Sequence, residues 1–233
     1  MKYFIIPGNP SAKYYYQKWV NELQEEYIFD EFKTVMYPLF SNELSPEEYF
    51  ESMISFYEKE IKSYAQNSEI NIIGHSIGGY MALKALERCP ELIKKCIMVF
   101  PFMGNPAPVG KGMLRLTSIL ENSKCGFDFF MNRVESLKFF IPPIKFVERD
   151  EFKAGIRLGH FERLYFAKKN ALPVIDPKLK SKVVMYYNSN DNWCTPLTVN
   201  AMVTEKIKTE HVKAKHDFIV SASHRKTLTS IIV

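Results

Sequence analysis

What the chain lacks narrows the field first. No apolar run approaches the roughly 18 residues that a membrane-crossing helix requires. The opening Met1-Lys2-Tyr3-Phe4-Ile5-Ile6-Pro7-Gly8 carries one lysine and too short an apolar stretch for a signal peptide, and reads as a strand beginning almost at the first residue. The four cysteines (Cys89, Cys96, Cys125, Cys194) show no C-x-x-C spacing, so neither a zinc site nor a disulfide framework is expected, and a reduced, cytoplasmic setting is the plain reading. Internal repeats and low-complexity tracts are absent, and the basic residues are scattered without a recognisable module, which argues against nucleic acid as a partner.

What is present suits a globular α/β domain. The 233 residues include 46% hydrophobic and 14% aromatic side chains, enough for a sizeable core. The net charge of +5 is uneven. Residues 102–175 hold 12 of the 31 Lys+Arg against 7 of the 26 Asp+Glu, leaving 19 of each in a neutral remainder, and the same segment holds 10 of the 18 phenylalanines. Such a segment either faces anionic lipid or an acidic partner, or is a helical insertion with an ordinary solvated face.

Short apolar runs stopped by breakers alternate with helical periodicity. Strands are expected at Tyr3–Ile6, Thr34–Tyr37, Ile70–Ile73, Cys96–Phe100, Val183–Tyr187 and 209–213. Tyr16, Trp19, Val20, Leu23 and Tyr27 recur at helical spacing, and further helices are expected over 77–88, 197–206 and 219–232. Ser45-Pro46-Glu47-Glu48 is the clearest helix start, combining a cap, proline at the first position and a capping box, with Leu44 and Tyr49 as the staple. The alternation predicts a mostly parallel sheet with helices on both faces. Residues 102–175 interrupt it with breakers such as Pro142-Pro143 and Gly155. They are expected to be an inserted helical cap on a core made of 1–101 and 176–233.

Gly74-His75-Ser76-Ile77-Gly78 matches G-x-S-x-G in the context of strand, sharp turn and helix. In so tight a turn the central residue is strained, side chains at 74 and 78 would clash, and the serine sits at a helix N-terminus whose dipole favours a developing anion. Ser76 is therefore the expected nucleophile, with Gly74, His75 and Gly78 shaping the elbow. The plain alternative is a structural turn. The acid and the base should follow in that order. Asp191 lies just past the fifth strand's C-terminal end, whereas Asp176 precedes that strand; a turn aspartate bonding its own backbone is the alternative role for Asp191. Of the five histidines, His160 falls in the insertion, His211 within the last strand and His224 on the closing helix. His216, in the loop 25 residues after Asp191, is the expected base. Asp217 reads as a solvated neighbour. For the oxyanion, the N–H of Ile77 and, in the Pro7-Gly8-Asn9-Pro10 loop, the N–H of Asn9 are the candidates, because Pro10 has none to give.

Phe4-Ile5-Ile6-Pro7-Gly8-Asn9-Pro10, Tyr14-Tyr15-Tyr16, Ile73–Gly78, Tyr186 with Asp191-Asn192-Trp193-Cys194, and His216-Asp217-Phe218 together resemble the lipid-droplet-associated hydrolase family. The resemblance implies an α/β-hydrolase acting on neutral lipid esters such as sterol esters or acylglycerols through Ser76, Asp191 and His216, with no cofactor and no metal. It also implies peripheral attachment to lipid surfaces. Two places depart from the family's pattern: Asp217 stands where a small residue is usual, and Ala107-Pro108-Val109-Gly110 stands where Ser-Pro-Asn-Gly is usual. Two other functions stay open: a thioesterase or esterase for small soluble acyl compounds, and a non-catalytic lipid-surface or protein-binding module. Phe127, Phe129, Phe130, Phe139, Phe140 and Phe146 could wall an acyl pocket, face lipid, or form the insertion's own core.

Overall fold

The computed structural model describes residues 1–9, 12–38, 40, 43–104, 106–123, 126, 129–130, 132–133, 146–168 and 174–233. The strands are β1 (Lys2–Ile6), β2 (Glu31–Thr34), β3 (Ile70–His75), β4 (Ile93–Val99), β5 (Val183–Tyr187) and β6 (Lys208–His211). The helices are α1 (Lys13–Glu26), α2 (Pro46–Ala65), α3 (Ile77–Arg88), α4 (Pro108–Glu121), α5 (Arg149–Lys168), α6 (Pro196–Thr204) and α7 (Ala222–Ile232). Among the described residues, six strands form one parallel sheet in the order β2-β1-β3-β4-β5-β6.

The central strands are apolar because both of their faces are covered, and every residue of β3 is buried. From β1 the chain moves outward to β2 through α1, then returns across β1 to β3 through α2. Right-handed crossovers therefore place α1 on one face of the sheet and α2 and α3 on the other. On the first face α1 meets α7: Trp19 Nε1 donates to Thr229 Oγ1 at 3.1 Å, and the buried Arg225 guanidinium holds Glu22 with two hydrogen bonds, 2.6 and 2.7 Å. On the second face α2 packs on α3 and α5. The α2 start forms as its sequence dictates: Ser45 Oγ accepts from the Glu48 N–H and the Glu48 carboxylate accepts from the Ser45 N–H.

The second strand departs from expectation. β2 covers 31–34 rather than 34–37, because the register is set by β1, with Lys2 opposite Glu31 and Tyr3 opposite Phe32. The Tyr3 and Phe32 rings stack at 4.9 Å. The apolar Val35-Met36-Tyr37 run passes beyond the sheet and packs on the core as loop, where the Tyr57 hydroxyl donates to the Val35 carbonyl.

After β4, α4 and α5 pack against each other, and the buried Arg157 bonds Glu121 across them at 2.9 Å. Among the described aromatic residues of this segment, Phe161, Tyr165 and Phe166 pack on Tyr49, Phe50 and Tyr80. Phe130 stacks on Phe152, while Phe129 is 65% exposed and Phe146 lies half-exposed against Tyr14. Phe127, Phe139, Phe140 and Pro142-Pro143 lie outside the described residues.

Candidate active site

β1 and β3 are neighbours whose outgoing helices go to opposite faces, so a crevice opens at their C-terminal ends. That is where open α/β sheets place ligands. Ser76 sits there, between β3 and α3, at φ 54° and ψ −124°. This strained backbone is held from several sides. The Ser76 N–H donates to Val99 O, and the Ser76 carbonyl accepts from the N–H groups of Gly79 and Phe102. The glycines are required by backbone rather than by side chains. A Cβ on Gly74 would stand 2.2 Å from Gly78 O, and one on Gly78 would stand 2.3 Å from Ile6 O. The second glycine thus lets α3 press its first turn onto the end of β1.

The loop after β5 supplies Asp191, whose carboxylate is fully buried. Its Oδ1 accepts from the N–H groups of Trp193 and Cys194 at 2.7 and 2.9 Å. His216 Nδ1 lies 2.9 Å from Asp191 Oδ2, and His216 Nε2 lies 3.0 Å from Ser76 Oγ. A buried carboxylate can only accept here, so Nδ1 carries the proton and Nε2 faces the serine hydroxyl as an acceptor. Burial pushes the Asp191 carboxyl up. The bonds from His216 and from the two backbone N–H groups outweigh that and hold it below the usual aspartate range. Asn188 joins the two loops, its Nδ2 donating to the carbonyls of Val212 and Ala214 at 3.1 and 3.0 Å. Sequence reading passed over Asn188; its only signal is its place at the end of β5.

His75 does more than border the serine. Its Nε2 lies 2.9 Å from the His216 carbonyl oxygen, which can only accept, so Nε2 must be the protonated nitrogen. Nδ1 is then free to accept from the Tyr16 hydroxyl, 2.5 Å away, and the Tyr16 oxygen in turn accepts the Gly8 N–H at 2.7 Å. Three bonds in series connect the β1–α1 loop, the elbow and the backbone of His216. Complete burial first, and the neighbouring His216 second, push the His75 imidazole down to about 3, so it stays neutral. Tyr16 is also buried, and its phenol is raised well above 10. Helical spacing marks Tyr16 as a core residue and hides this second role.

The β1–α1 loop lies directly over the serine: a Cβ on Gly8 would stand 2.9 Å from Ser76 Cβ. Asn9 is the next residue of this loop, and the Ile77 N–H is among the donors that the first turn of α3 leaves without an intrahelical partner. The Asn9 side chain points away toward α5, where Nδ2 donates to Gly155 O at 3.0 Å and to Glu162 Oε2 at 3.3 Å. The remaining candidates stand elsewhere. His160 meets Ser118, His211 ends β6 beside Tyr187, and Asp176 holds the turn before β5 by accepting from the Lys178 N–H. Asp217 is exposed. Among the described residues no group of three or more His, Cys, Asp or Glu is placed to hold a metal ion.

Residues 1–142 match the model of the lipid-droplet associated hydrolase family. The chain belongs to this family. Within that match fall Asn9, Ser76 and the elbow, whereas Asp191 and His216 lie beyond it. The chain is 28% identical over 144 residues to the lipid droplet-associated hydrolase of Rattus norvegicus. That match covers 52% of this chain and 43% of the rat protein, less than half of the relative's length. Solved structures with the same fold include the RedJ thioesterase of Streptomyces coelicolor (TM-score 0.65, 13% identity, 100% of this chain and 89% of that one). They also include a hydrolase from Oleispira antarctica (TM-score 0.62, 13% identity, 99% and 89%) and MenH from S. aureus (TM-score 0.59, 14% identity, 100% and 91%). The likeness shows an α/β-hydrolase fold.

Proposed function

We propose that this member of the lipid-droplet associated hydrolase family is a serine hydrolase of carboxylic esters, acting on lipid esters of the sterol-ester or acylglycerol type. One observation carries the reading: an unbroken Ser76–His216–Asp191 chain of hydrogen bonds, at 3.0 and 2.9 Å, on a serine held at positive φ. Ser76 Oγ attacks the ester carbonyl as His216 Nε2 takes its proton. Asp191 fixes the His216 tautomer and stabilises the imidazolium. The N–H groups of Asn9 and Ile77 receive the oxyanion, the alcohol leaves with the proton from His216, and His216 then activates water to free the acid.

The lipid part of the reading rests on the family, on the name of the rat relative and on surface chemistry. Val109, Met113, Ile119 and Phe129 are exposed in the segment after β4, among Lys111, Arg115 and Arg133. Apolar residues interleaved with cations suit a peripheral contact with an anionic lipid surface, and residues 102–175 would then act as a cap over the acyl group. The buried thiols of Cys89, Cys96 and Cys194 fit a reducing, cytoplasmic setting. A second reading, thioester hydrolysis, takes its substrate from the thioesterases among the structures that share the fold.

The test is turnover of p-nitrophenyl esters of increasing chain length and of acyl thioesters, with and without anionic liposomes, by the wild type and Ser76→Ala. Preference for long acyl esters, stimulation by liposomes and loss in the variant are expected. A short-chain optimum without a liposome effect would move the substrate to small soluble esters, and preference for thioesters would select the second reading. Turnover unchanged in Ser76→Ala would overturn the mechanism.

A further inference from the structure

The segment between β4 and β5 buries one carboxylate that the chemistry above leaves unused. Glu162, on α5, is 2% exposed, and among the described residues no lysine or arginine pairs with it. Its recorded partner is the amide of Asn9, the residue whose backbone N–H is assigned to the oxyanion. The same amide donates to Gly155 O, about two turns before Glu162 on the same helix, while Asn9 Oδ1 is buried without a partner among the described residues. The two donor bonds to α5 are therefore what holds this side chain in place. In the preceding peptide unit, Tyr16 holds the Gly8 N–H.

We propose that Glu162 is a positioning residue for the oxyanion loop: from α5 it anchors the Asn9 side chain, and so fixes the direction in which the Asn9 N–H points. The proposal rests on the serine hydrolase reading and deepens it, since it makes a helix outside the sheet part of the machinery that stabilises the transition state. An oxyanion donor works only if it is fixed before the charge develops, and a displacement of about 1 Å at such a site costs up to roughly 10²-fold in rate.

Glu162 can accept from Asn9 in either charge state, and what ionisation disturbs is the packing that holds the two together. Asn9 from the β1–α1 loop bonds Glu162, and Tyr49 from α2 stands close enough to feel its charge, as it feels those of Arg157 on α5 and Glu121 on α4. Arg157 is already engaged by Glu121 and by the Phe40 carbonyl, so it does not neutralise Glu162. Burial raises the Glu162 carboxyl to about 8, only weakly opposed by the Asn9 amide. At neutral pH the group is therefore protonated and sits comfortably. Once ionised it demands water that the packed site does not offer. Separating α5 from the β1–α1 loop to admit that water releases Asn9.

The experiment compares wild type, Glu162→Gln and Glu162→Ala for kcat and KM on a p-nitrophenyl ester from pH 6 to 10, with fluorophosphonate labelling of Ser76 run in parallel and Ser76→Ala as the blank. Gln keeps the oxygen that accepts from Asn9 and cannot ionise. Glu162→Gln is expected to stay within about threefold of wild-type kcat at pH 7 and to lack the fall in kcat that the wild type shows above pH about 8. Glu162→Ala is expected to lose about tenfold or more in kcat with KM changed little. An alkaline limb identical in wild type and Glu162→Gln, or an unchanged kcat in Glu162→Ala, overturns the proposal while labelling of wild-type Ser76 leaves the hydrolase reading intact. A wild type that neither labels nor turns over overturns both.

Discussion

Removing one oxygen from the protein tests how the site is held together. In Tyr16→Phe the ring still fills its buried place on α1, but two groups lose their partner: the Gly8 N–H, 2.7 Å from the hydroxyl, and His75 Nδ1, 2.5 Å from it. Both partners are buried, and a buried polar group left unpaired costs about 1–3 kcal/mol. Allowing for some relaxation, the expected loss of stability is about 2–4 kcal/mol, a sizeable part of the roughly 5–15 kcal/mol that keeps a domain folded. For a chain of this size that lowers Tm by roughly 4–15 °C. Urea unfolding at pH 7 reads the stability, and ester turnover reads the site. Because the same hydroxyl links the β1–α1 loop through His75 to the backbone of His216, the proposed mechanism has kcat fall about tenfold or more while KM moves little. A double variant with His75→Leu should lose less stability than the two single losses combined, by about 1 kcal/mol or more, since the two residues act as one unit. A Tyr16→Phe protein within about 0.5 kcal/mol of wild type and with unchanged kcat would show that the three-bond series contributes nothing, and the reasoning would fail.

Other outcomes follow from the same geometry. Asp191→Asn should keep the fold yet lose roughly 10³–10⁴-fold in kcat, because the amide permits the wrong His216 tautomer; ester turnover checks it. Gly78→Ala should yield little folded protein, since its Cβ would lie 2.3 Å from the Ile6 carbonyl and neither backbone can give way; circular dichroism and soluble yield check it. Glu162 makes stability depend on pH in a definite direction. Its folded carboxyl, raised to about 8, holds a proton that the unfolded chain has already released above about 4.5, so stability falls as pH rises between those values. The Tm of Glu162→Gln should therefore exceed that of wild type by a margin that widens from pH 5 to pH 8, as followed by differential scanning fluorimetry.

The parts of this site that could be read from the sequence are those written locally. G-H-S-I-G after a buried apolar run fixes the elbow because only glycine tolerates backbone at 2.2–2.3 Å, and the Ser45–Glu48 capping box is a contact between residues three apart. Asp191 and His216 were legible by position, each in a loop beyond the C-terminal end of a strand. What escaped was set by distant partners. The β2 register depends on β1, so the more apolar 34–37 stretch was the natural but mistaken choice. Tyr16 satisfies helical periodicity so well that a hydroxyl contact 59 residues away leaves no trace in the pattern. Glu162, in a basic and Phe-rich stretch, looks like one more solvated charge. Only the packing of α5 against α2 and the Asn9 side chain buries it.

The central claim, that Ser76 is a nucleophile activated by His216, is tested most directly by intact-mass measurement after exposure to a fluorophosphonate. One adduct on the wild type, located at Ser76 by peptide mapping, with none on Ser76→Ala and markedly slower labelling of His216→Ala, is the predicted result. Labelling at another residue, or labelling of the Ser76→Ala protein at the wild-type rate, would contradict it.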